Sequence, residues 1–478
     1  MIKYKISSIG CLSICCVSSL TAFAQQQPKP NVVFILADDL GYGDVGCYGQ
    51  QIIKTPNIDL LANSGMLMTN HYAGCTVSSP SRSVLLTGLH TGHTFIRGNK
   101  EVEPEGQYAL PTGTFTIAKM LHQAGYTTGA FGKWGLGAPK SSGDPNNLGF
   151  DDFYGYNCQK LAHNSYPYHL WFNQTKVMLP GNEGLKKEQY APDLIQQQAI
   201  KFLQRNHKGK FFMYLAYTLP HAELTSPNDS IYKFYSSHLK EVSTYRGVDQ
   251  QGKDYKTGGY GSSLTPRADF ASMVTRLDAY VGELMSEVKR LGIEKNTLII
   301  FTSDNGPHRE GGADPDFFKS YGQFRGVKRD MYEGGIRVPM IAVWPNVIKA
   351  GSSSNHISAF WDIMPTFKDL AGIKLPVKSD GISMLPTLLS KKNQKNHQYL
   401  YWEFHEQGGK IAVRMGQWKG IKLNYGKNPA AKMLLYNLSK DIHEDYNVAD
   451  SYPKVVARLE QIIHKARTES QVFKFGKE

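Results

Sequence analysis

Acidic and amide side chains follow two apolar stretches that lie far apart in the sequence. Asp38 and Asp39 come shortly after the run NVVFIL, and Asp304 and Asn305 come directly after TLIIFTS. If both pairs met, their carboxylates would repel each other unless a hard divalent cation lay between them, with oxygen ligands at roughly 2.3–2.6 Å for calcium. Turn-forming Asx pairs are the ordinary alternative. The residues alone predict a cation site or two turns.

A nucleophile could come from the segment CTVSSPSRSVLLTG at residues 75–88. This segment places the thiol of Cys75, three serine hydroxyls and the guanidinium of Arg82 within eight residues. A thiol or an activated hydroxyl can form a covalent intermediate. A Ser-Pro-Ser-Arg string is by itself most often a surface turn, so the composition leaves the identity of the nucleophile open.

Apolar runs and helical periodicity supply the elements that must position these side chains. We predict strands for NVVFIL, YTTGAFG, FFMYLAYTLPH and NTLIIFTSDNG, and helices for residues 55–65, 114–124 and 266–291. The strands are apolar on both faces, and they alternate with helices along the chain. This pattern predicts an α/β sandwich around a large, mostly parallel sheet, with ligands at the carboxyl ends of the strands.

The composition changes after about Pro376. The stretches YLYWEF, KIAVRMGQWKGIKL and MLLYNL predict a small antiparallel sheet, followed by a helix at residues 453–468. We therefore divide the chain into a signal segment (1–24), a catalytic α/β domain (25–376) and a C-terminal subdomain (377–478).

The N-terminal residues have the pattern of an export signal. Two lysines precede an apolar run, and Ala-Phe-Ala at residues 22–24 fits a signal-peptidase site. A membrane anchor is the alternative, but the run is short and contains several serines. Cleavage would leave three widely spaced cysteines, which form neither a disulfide framework nor a zinc motif. We expect an exported, periplasmic bacterial protein without a membrane span.

The chain is basic, with 54 lysine and arginine residues against 41 acidic residues and a formal net charge of +13. An excess of this kind favours an anionic ligand, although it also serves solubility alone. The sequence has no Lys/Arg-rich arm and no nucleic-acid motif, so we expect no nucleic-acid partner.

Several motifs together resemble one enzyme family. Residues 78–88 match the type I, formylglycine-dependent sulfatase signature, (Cys or Ser)-x-Pro-Ser-Arg-x-x-x-Leu-Thr-Gly. The segments ADDLGYGD, GKWGLG, LPH, SDNGPH and GVKRDMYEGGIRVP occur in the order of that family, between about residues 31 and 339. The joint pattern is far more specific than any single motif. The resemblance implies an alkaline-phosphatase-like fold and an arylsulfatase A-like bacterial carbohydrate sulfatase.

The resemblance assigns the reactive position to Ser78. In this family a sulfatase-maturating enzyme oxidises that residue to formylglycine, and the serine form is similar to that handled by oxygen-independent radical maturases. One hydroxyl of the hydrated aldehyde attacks sulfur, and the other expels sulfate once it is deprotonated. Cys75 is expected to be a small buried hydrophobe.

The resemblance also implies a cofactor and the roles of the surrounding residues. One calcium ion would be held by Asp38, Asp39, Asp304, Asn305 and the modified Ser78. Arg82 would hold the formylglycine side chain and a metal-ligating carboxylate. Lys133 and Lys328 would clamp the sulfate oxygens, and His221 would protonate the departing sugar oxygen.

One position departs from the pattern of the family. The commonest version of GKWGLG has histidine where Gly135 stands, and that histidine assists the release of sulfate. We expect another base or a water molecule to serve instead, with His163 and His308 as the candidates.

Loops rich in histidine, arginine, asparagine and aromatic residues are suited to binding a saccharide. TGHTFIRGN, AHNSYPYHLWFN and PHREGGADPDFF look like stretches in carbohydrate sulfatases of polysaccharide-degrading Bacteroidetes. The resemblance favours a sulfated galactose or N-acetylgalactosamine, acted on exolytically. The predicted substrate contacts are His163, Arg97, His308, Arg309 and His405, and ordinary loop solvation is the alternative.

Two other functions stay open at this point. The same fold hosts phosphomonoester and phosphonate hydrolases. The phosphatases of this fold usually need two zinc ions and several His ligands, and the sequence lacks that second set of His and Asp residues. A non-catalytic saccharide-binding relic is the other alternative. The intact set of Ser78, Arg82, Lys133, His221 and Lys328 argues against a relic.

Overall fold

The computed structural model of this chain describes residues 1–2, 29–249 and 259–475. The predicted signal segment at residues 1–24 therefore lies almost wholly outside the described residues. The strands are β1 Asn31–Ala37, β2 Met66–Met68, β3 His71–Tyr72, β4 Thr127–Lys133, β5 Asp152–Tyr156, β6 His169–Phe172, β7 Thr175–Met178, β8 Phe211–Ala216, β9 Thr297–Ser303, β10 Met340–Val343, β11 Ser352–Ser354, β12 Ser358–Ala359, β13 Leu400–Phe404, β14 Lys410–Met415, β15 Trp418–Leu423 and β16 Leu434–Asn437.

Ten strands form one sheet in the order β11-β2-β10-β9-β1-β8-β4-β5-β6-β7. The central strands β9, β1, β8 and β4 are parallel, and every residue of β1, β8 and β9 is buried. A strand that is buried on both faces needs apolar residues at every position, so its sequence does not alternate between apolar and polar residues. The predicted α/β sandwich with a mostly parallel sheet is confirmed.

The register of the central strands brings their carboxyl ends to one edge of the sheet. Ala37, the last residue of β1, pairs with Ser303, the last residue of β9. On the other side of β1, Leu36 pairs with Ala216 of β8, which in turn pairs with Gly132 of β4. The residues that follow β1, β4, β8 and β9 therefore meet at this edge.

Helices cover both faces of the sheet. They are α1 Pro56–Asn63, α2 Ser78–Thr87, α3 Ile117–Gln123, α4 Ala191–Asn206, α5 Ser230–His238, α6 Pro266–Arg290, α7 Pro315–Phe318, α8 Glu333–Ile336, α9 Ile363–Ala371, α10 Leu385–Leu388 and α11 Pro453–Lys465. The three helices predicted before residue 300 are present, and α3 is shorter than predicted because Thr116 caps it by accepting from the amide of Lys119.

Strands β13 to β16 form the predicted small antiparallel sheet, against which α11 packs. Trp402 and Phe404 of β13 belong to the same buried apolar cluster as Phe34 of β1 and Leu85 of α2. The small sheet thus shares its core with the large one. The division at residue 376/377 stays a prediction. Among the described residues, no helix has both the length and the apolar character needed to cross a membrane.

Candidate active site

Three carboxylates and one amide converge where β1 and β9 end. The backbone amide of Asp39 donates to Oδ1 of Asp304 at 3.1 Å, and Nδ2 of Asn305 donates to Oδ1 of Asp39 at 2.6 Å. Asp38, Asp39, Asp304 and Asn305 are all fully buried. Asp39 has a φ of 61°, a left-handed conformation that turns the chain so that both adjacent acids reach the same point. The predicted meeting of the two strand ends is present.

Ser78 is the first residue of α2, and its side chain joins this cluster. Its hydroxyl donates to Oδ1 of Asp38 at 3.0 Å. Every residue of α2 is buried, and the Ser81 hydroxyl ties the helix to β9 by donating to the carbonyl of Asp304 at 2.5 Å. An α-helix N-terminus carries partial positive charge, so this location suits a residue that handles an anion.

Arg82 lies one turn further along α2 and neutralises part of the acidic cluster. Its Nε and one terminal nitrogen donate to Oδ2 of Asp304 at 3.0 and 2.9 Å. The other terminal nitrogen donates to the carbonyl of Lys133 at 2.8 Å. One guanidinium therefore connects α2, β4 and the end of β9, which fixes their relative positions.

Two buried lysines pair with two of the carboxylates. Nζ of Lys133, at the end of β4, lies 2.6 Å from Oδ2 of Asp38. Nζ of Lys328 lies 2.7 Å from Oδ2 of Asp39. Fully buried ammonium groups are found almost only where an anion compensates them, so both lysines are committed to this centre.

His221 follows β8 and contacts the second lysine. Its Nδ1 donates to the carbonyl of Ala222, and its Nε2 accepts from Nζ of Lys328 at 3.1 Å. Burial lowers the pKa of His221 well below its usual range, and Lys328 lowers it further. A lowered pKa favours the neutral imidazole, whose Nε2 lone pair faces the ammonium group of Lys328.

The oxygen atoms of this cluster fit a hard divalent cation. Oδ1 of Asn305 is buried and has no hydrogen-bond partner among the described residues. Burial, together with the nearby Asp38 carboxylate, raises the pKa of Asp304 to about 7 in spite of Arg82. Asp38 differs, because burial raises its pKa but the charges of Lys133 and Arg82 lower it well below the usual range. The shortage of positive charge is therefore at Asp304. Carboxylate and amide oxygens are the donors that calcium prefers.

The structure also shows what lies beside Gly135, the position that departs from the family pattern. Gly135 has a φ of +82°, and a Cβ atom built there would lie 2.2 Å from Nε2 of Gln159. That nitrogen donates to the hydroxyl of Ser79 at 3.0 Å, and the same hydroxyl donates to the carbonyl of Gly135. The amide of Gln159 therefore occupies the space that a side chain at residue 135 would need.

Both histidines predicted as replacements lie next to His221. The ring of His163 stacks on that of His221 with centroids 5.2 Å apart, and Nδ1 of His163 is buried without a hydrogen-bond partner in the described structure. The ring of His308 lies on the opposite side at 5.7 Å, with Nε2 donating to the carbonyl of Pro220 and Nδ1 3.2 Å from Glu310. His163 is the less constrained of the two.

The other predicted substrate contacts are not brought to this centre. Arg97 and His405 both bind the buried carboxylate of Glu403, at 3.3 and 2.7 Å. Arg309 forms a forked ion pair with Asp316 at the surface. Their role in binding substrate stays a prediction, since the hydrogen bonds described for them join none of the groups around Ser78.

Sequence reasoning missed Glu310 and Gln159. Glu310 accepts from Arg329 and lies 3.7 Å from Nζ of Lys328. Lys328 and His308 hold the pKa of Glu310 far below its usual range despite burial. Glu310 stands two residues after His308, which could have pointed to it. Gln159 had no comparable signal, because an amide in a loop matches no motif.

The chain is similar to known proteins over most of its length. Residues 30–373 match the family described as Sulfatase, and residues 321–469 match the family described as N-sulphoglucosamine sulphohydrolase, C-terminal. Human arylsulfatase A is 33% identical, over 93% of this chain and 89% of the relative. The N-acetylgalactosamine-6-O-sulfatase of Bacteroides thetaiotaomicron is 28% identical, over 93% and 94%.

A solved structure is also similar to this chain over nearly its whole length. The crystal structure of Ps i-CgsB in complex with k-i-k-neocarrahexaose superposes with a TM-score of 0.76 at 30% identity, and it covers 94% of this chain and 95% of the other.

Proposed function

Because this chain belongs to the sulfatase family and is a sulfuric ester hydrolase, we propose that it removes a sulfate group from a saccharide with an oxidised Ser78 as the nucleophile. One observation carries the proposal. The side chain of Ser78 donates to Asp38, one of three buried carboxylates that are paired with Arg82, Lys133 and Lys328 at one edge of the sheet.

The nucleophile is proposed to be formylglycine, formed from Ser78 by a sulfatase-maturating enzyme. As a hydrate, this group supplies one hydroxyl that attacks sulfur and a second that releases sulfate without attack by water. Asp38 accepts a hydrogen bond from residue 78 at 3.0 Å, so it would orient the hydroxyl nearest to it. The position of residue 78 at the start of α2 favours the negative charge that develops there.

Lys133 and Lys328 are proposed to hold the sulfate group. Each lysine pairs with one of two adjacent carboxylates, Lys133 with Asp38 and Lys328 with Asp39, so both charges lie near the acid that binds residue 78. Preorganised donors of this kind stabilise the charge that builds up on the transferred group, typically by about 2.7–4 kcal/mol per donor. Each of the three nitrogens of Arg82 donates to a protein oxygen. It would therefore position residue 78 and Asp304.

A single calcium ion is the proposed cofactor. Asp38, Asp39, Asp304, Asn305 and residue 78 would hold it, because these are the oxygen donors that converge and because one of them lacks any other partner. Bound there, the ion would polarise a sulfate oxygen and lower the pKa of the attacking hydroxyl.

His221 is the proposed proton donor to the sugar oxygen. Its Nε2 now accepts from Lys328, so it must take up a proton before it can give one. The sulfate group would draw Lys328 towards itself and leave Nε2 free. His163 stacks on the outer face of His221 and is the proposed substitute for the family histidine that Gly135 lacks.

A cavity of about 350 Å³ that adjoins Lys328 is the proposed saccharide site. Glu310, Arg329 and Gln407 also line it, and such charged and amide groups bind sugar hydroxyls. The names of the relatives favour a sulfated galactose or N-acetylgalactosamine unit of a polysaccharide. Exolytic action, and export of the protein after cleavage of the segment at 1–24, belong to the same proposal.

An assay with paired esters tests this function. The chain, coexpressed with a serine-type maturase and supplied with calcium, should hydrolyse 4-nitrophenyl sulfate and sulfated galactosides much faster than 4-nitrophenyl phosphate. A preference for the phosphate would make it a phosphomonoester hydrolase of the same fold. Failure with every ester, by chain that carries the modified residue, would contradict catalysis altogether.

A further inference from the structure

A second cavity, of about 500 Å³, lies between the edge of the large sheet and the small sheet. Its walls come from residues 355–357 after β11, from the segment before β13, and from the turn between β14 and β15. None of the residues placed above around Ser78 lines it. Its volume falls in the range of about 300–1,000 Å³ that is usual for small-molecule sites.

The lining of this cavity is polar and positively charged. It contains the guanidinium of Arg414, the amides of Asn355 and Asn396, the imidazoles of His356 and His397, and the ring of Tyr399. None of the described residues that line it is acidic. Amides, imidazoles and an aromatic ring are suited to the hydroxyls and the ring face of a sugar, and a guanidinium is suited to a sulfate group. The charge of Arg414 also acts on the buried Glu333, but that carboxylate is already paired with Lys419 and Arg337.

The charged and imidazole groups are held in place without a ligand. Arg414 is 7% exposed, its Nε donates to the carbonyl of Gly416 at 3.0 Å, and one terminal nitrogen contacts the hydroxyl of Tyr72. Nε2 of His397 is bound by Oδ1 of Asp362 at 2.7 Å. Fixed groups of this kind lose little entropy when a ligand binds.

The cavity opens near the edge of the sheet that carries the catalytic residues. β11 is parallel to β2, and β2 runs in the same direction as β9 because both are antiparallel to β10. Residues 355–357 therefore follow a strand at the same carboxyl edge as Asp38 and Asp304. Four strand spacings of about 4.8 Å separate β11 from β1, which gives a distance of roughly 19 Å.

Strand β14 connects the two cavities. Lys410, its first residue, donates to the carbonyl of Arg329 at 2.7 Å, beside the cavity at Lys328. Arg414 stands four residues further along, or about 13 Å at the rise of an extended strand. One chain of several sugar units could therefore span both.

We propose that this cavity is a second, non-catalytic binding site for a sulfated saccharide, which holds one part of a polysaccharide while another part lies at Ser78. Only the identity of the ligand rests on the proposed function. Two linked sites raise the effective concentration of the second unit to the millimolar range, so polymer binding should exceed monosaccharide binding. A free sulfate ion would use Arg414 but would leave the amides and Tyr399 without a partner.

The proposal is tested with full-length chain that carries Ser78→Ala, in native gels that contain chondroitin 6-sulfate or ι-carrageenan, each beside its desulfated form. We expect retention in at least one sulfated gel. The added pair Asn396→Ala and Tyr399→Ala should weaken that retention about tenfold, since a hydrogen bond and a ring contact are lost. Tyr446→Ala, at an exposed position that does not line the cavity, should leave it unchanged.

The rate on 4-nitrophenyl sulfate reports the proposed function separately. With Ser78 intact, the Asn396→Ala and Tyr399→Ala pair should keep that rate within about twofold, since neither residue contacts the centre. The second site is wrong if no sulfated gel retains the protein, if the pair retains as well as the parent, or if the desulfated polymers bind equally. It is also wrong if sodium sulfate alone binds the cavity as tightly as the polymer in a calorimetric titration.

Discussion

Replacing Arg82 by methionine should destabilise the protein more than its single charge suggests. The guanidinium is 1% exposed and donates twice to Asp304 and once to the carbonyl of Lys133. Methionine has a similar length but offers no donor. Asp304, whose pKa burial and Asp38 already raise to about 7, would lose its main compensating charge and take up a proton.

The size of the effect follows from burial. Removing one partner of a buried ion pair costs about 3–5 kcal/mol. At about 2.1 cal/mol/K per residue, the unfolding entropy of a chain of 478 residues is roughly 1 kcal/mol/K. Arg82→Met should therefore lower Tm by about 3–5 °C after treatment with EDTA. Calcium in excess should recover part of this loss, because the ion would compensate the same carboxylates.

Differential scanning calorimetry measures the effect, with Arg205→Met as the matched control. Arg205 also pairs with an aspartate, Asp152, at 2.6 Å, but its side chain is 56% exposed. Exposed pairs contribute about 0–1 kcal/mol, so the control should shift Tm by about 1 °C or less. Equal shifts for the two variants would refute the reasoning from burial. A loss that calcium does not reduce would count against the metal site.

Three further changes have definite expected outcomes. Ser78→Ala should abolish hydrolysis of 4-nitrophenyl sulfate, whereas Cys75→Ala should leave it nearly intact, because burial raises the pKa of the Cys75 thiol to about 12 and keeps it protonated; the reverse result would reassign the nucleophile. Gly135→Ala should destabilise the protein by about 1–3 kcal/mol through its contact with Gln159, and Gln159→Ala in the same chain should restore part of Tm; no recovery would show that the φ of +82° alone is responsible. Burial raises the pKa of Glu444 to about 7, although Lys419 lowers it. The folded protein therefore keeps this proton at pH values above about 4.3, where the unfolded chain has lost it. The contribution of Glu444 to stability is complete below about pH 4.3 and is lost as the pH rises through 7. A glutamine at this position does not titrate, so the Tm of Glu444→Gln should fall less than that of the parent between pH 5 and 7.5. Parallel curves of Tm against pH would contradict the raised pKa of Glu444.

The central strands of the sheet could be predicted because each of them is buried on both faces. NVVFIL and TLIIFTS are apolar throughout, and a strand buried on both sides needs such a run. The meeting of the acidic residues that follow these two strands could also be predicted, since the carboxyl ends of parallel strands share an edge. The edges of the sheet had no such signal. β10 is antiparallel and β2 and β11 have three residues each, lengths at which apolar patterns do not identify a strand.

The cations around Ser78 were predicted by motif position, and the structure brings all of them together. The groups that complete the centre were harder to identify. Glu310 acts through contacts with Lys328 and Arg329, which depend on how two loops meet. Arg97 and His405 show why composition alone did not place every residue, because polar loop residues can equally serve a buried ion pair such as theirs with Glu403. Their contact with substrate stays a prediction.

The mass of the tryptic peptide that contains residue 78 tests the central proposal most directly. Active protein, produced with a serine-type maturase, should yield this peptide two hydrogens lighter than the encoded serine form, and the light fraction should rise in proportion to sulfatase activity. Fully active protein in which residue 78 is only unmodified serine would contradict the account.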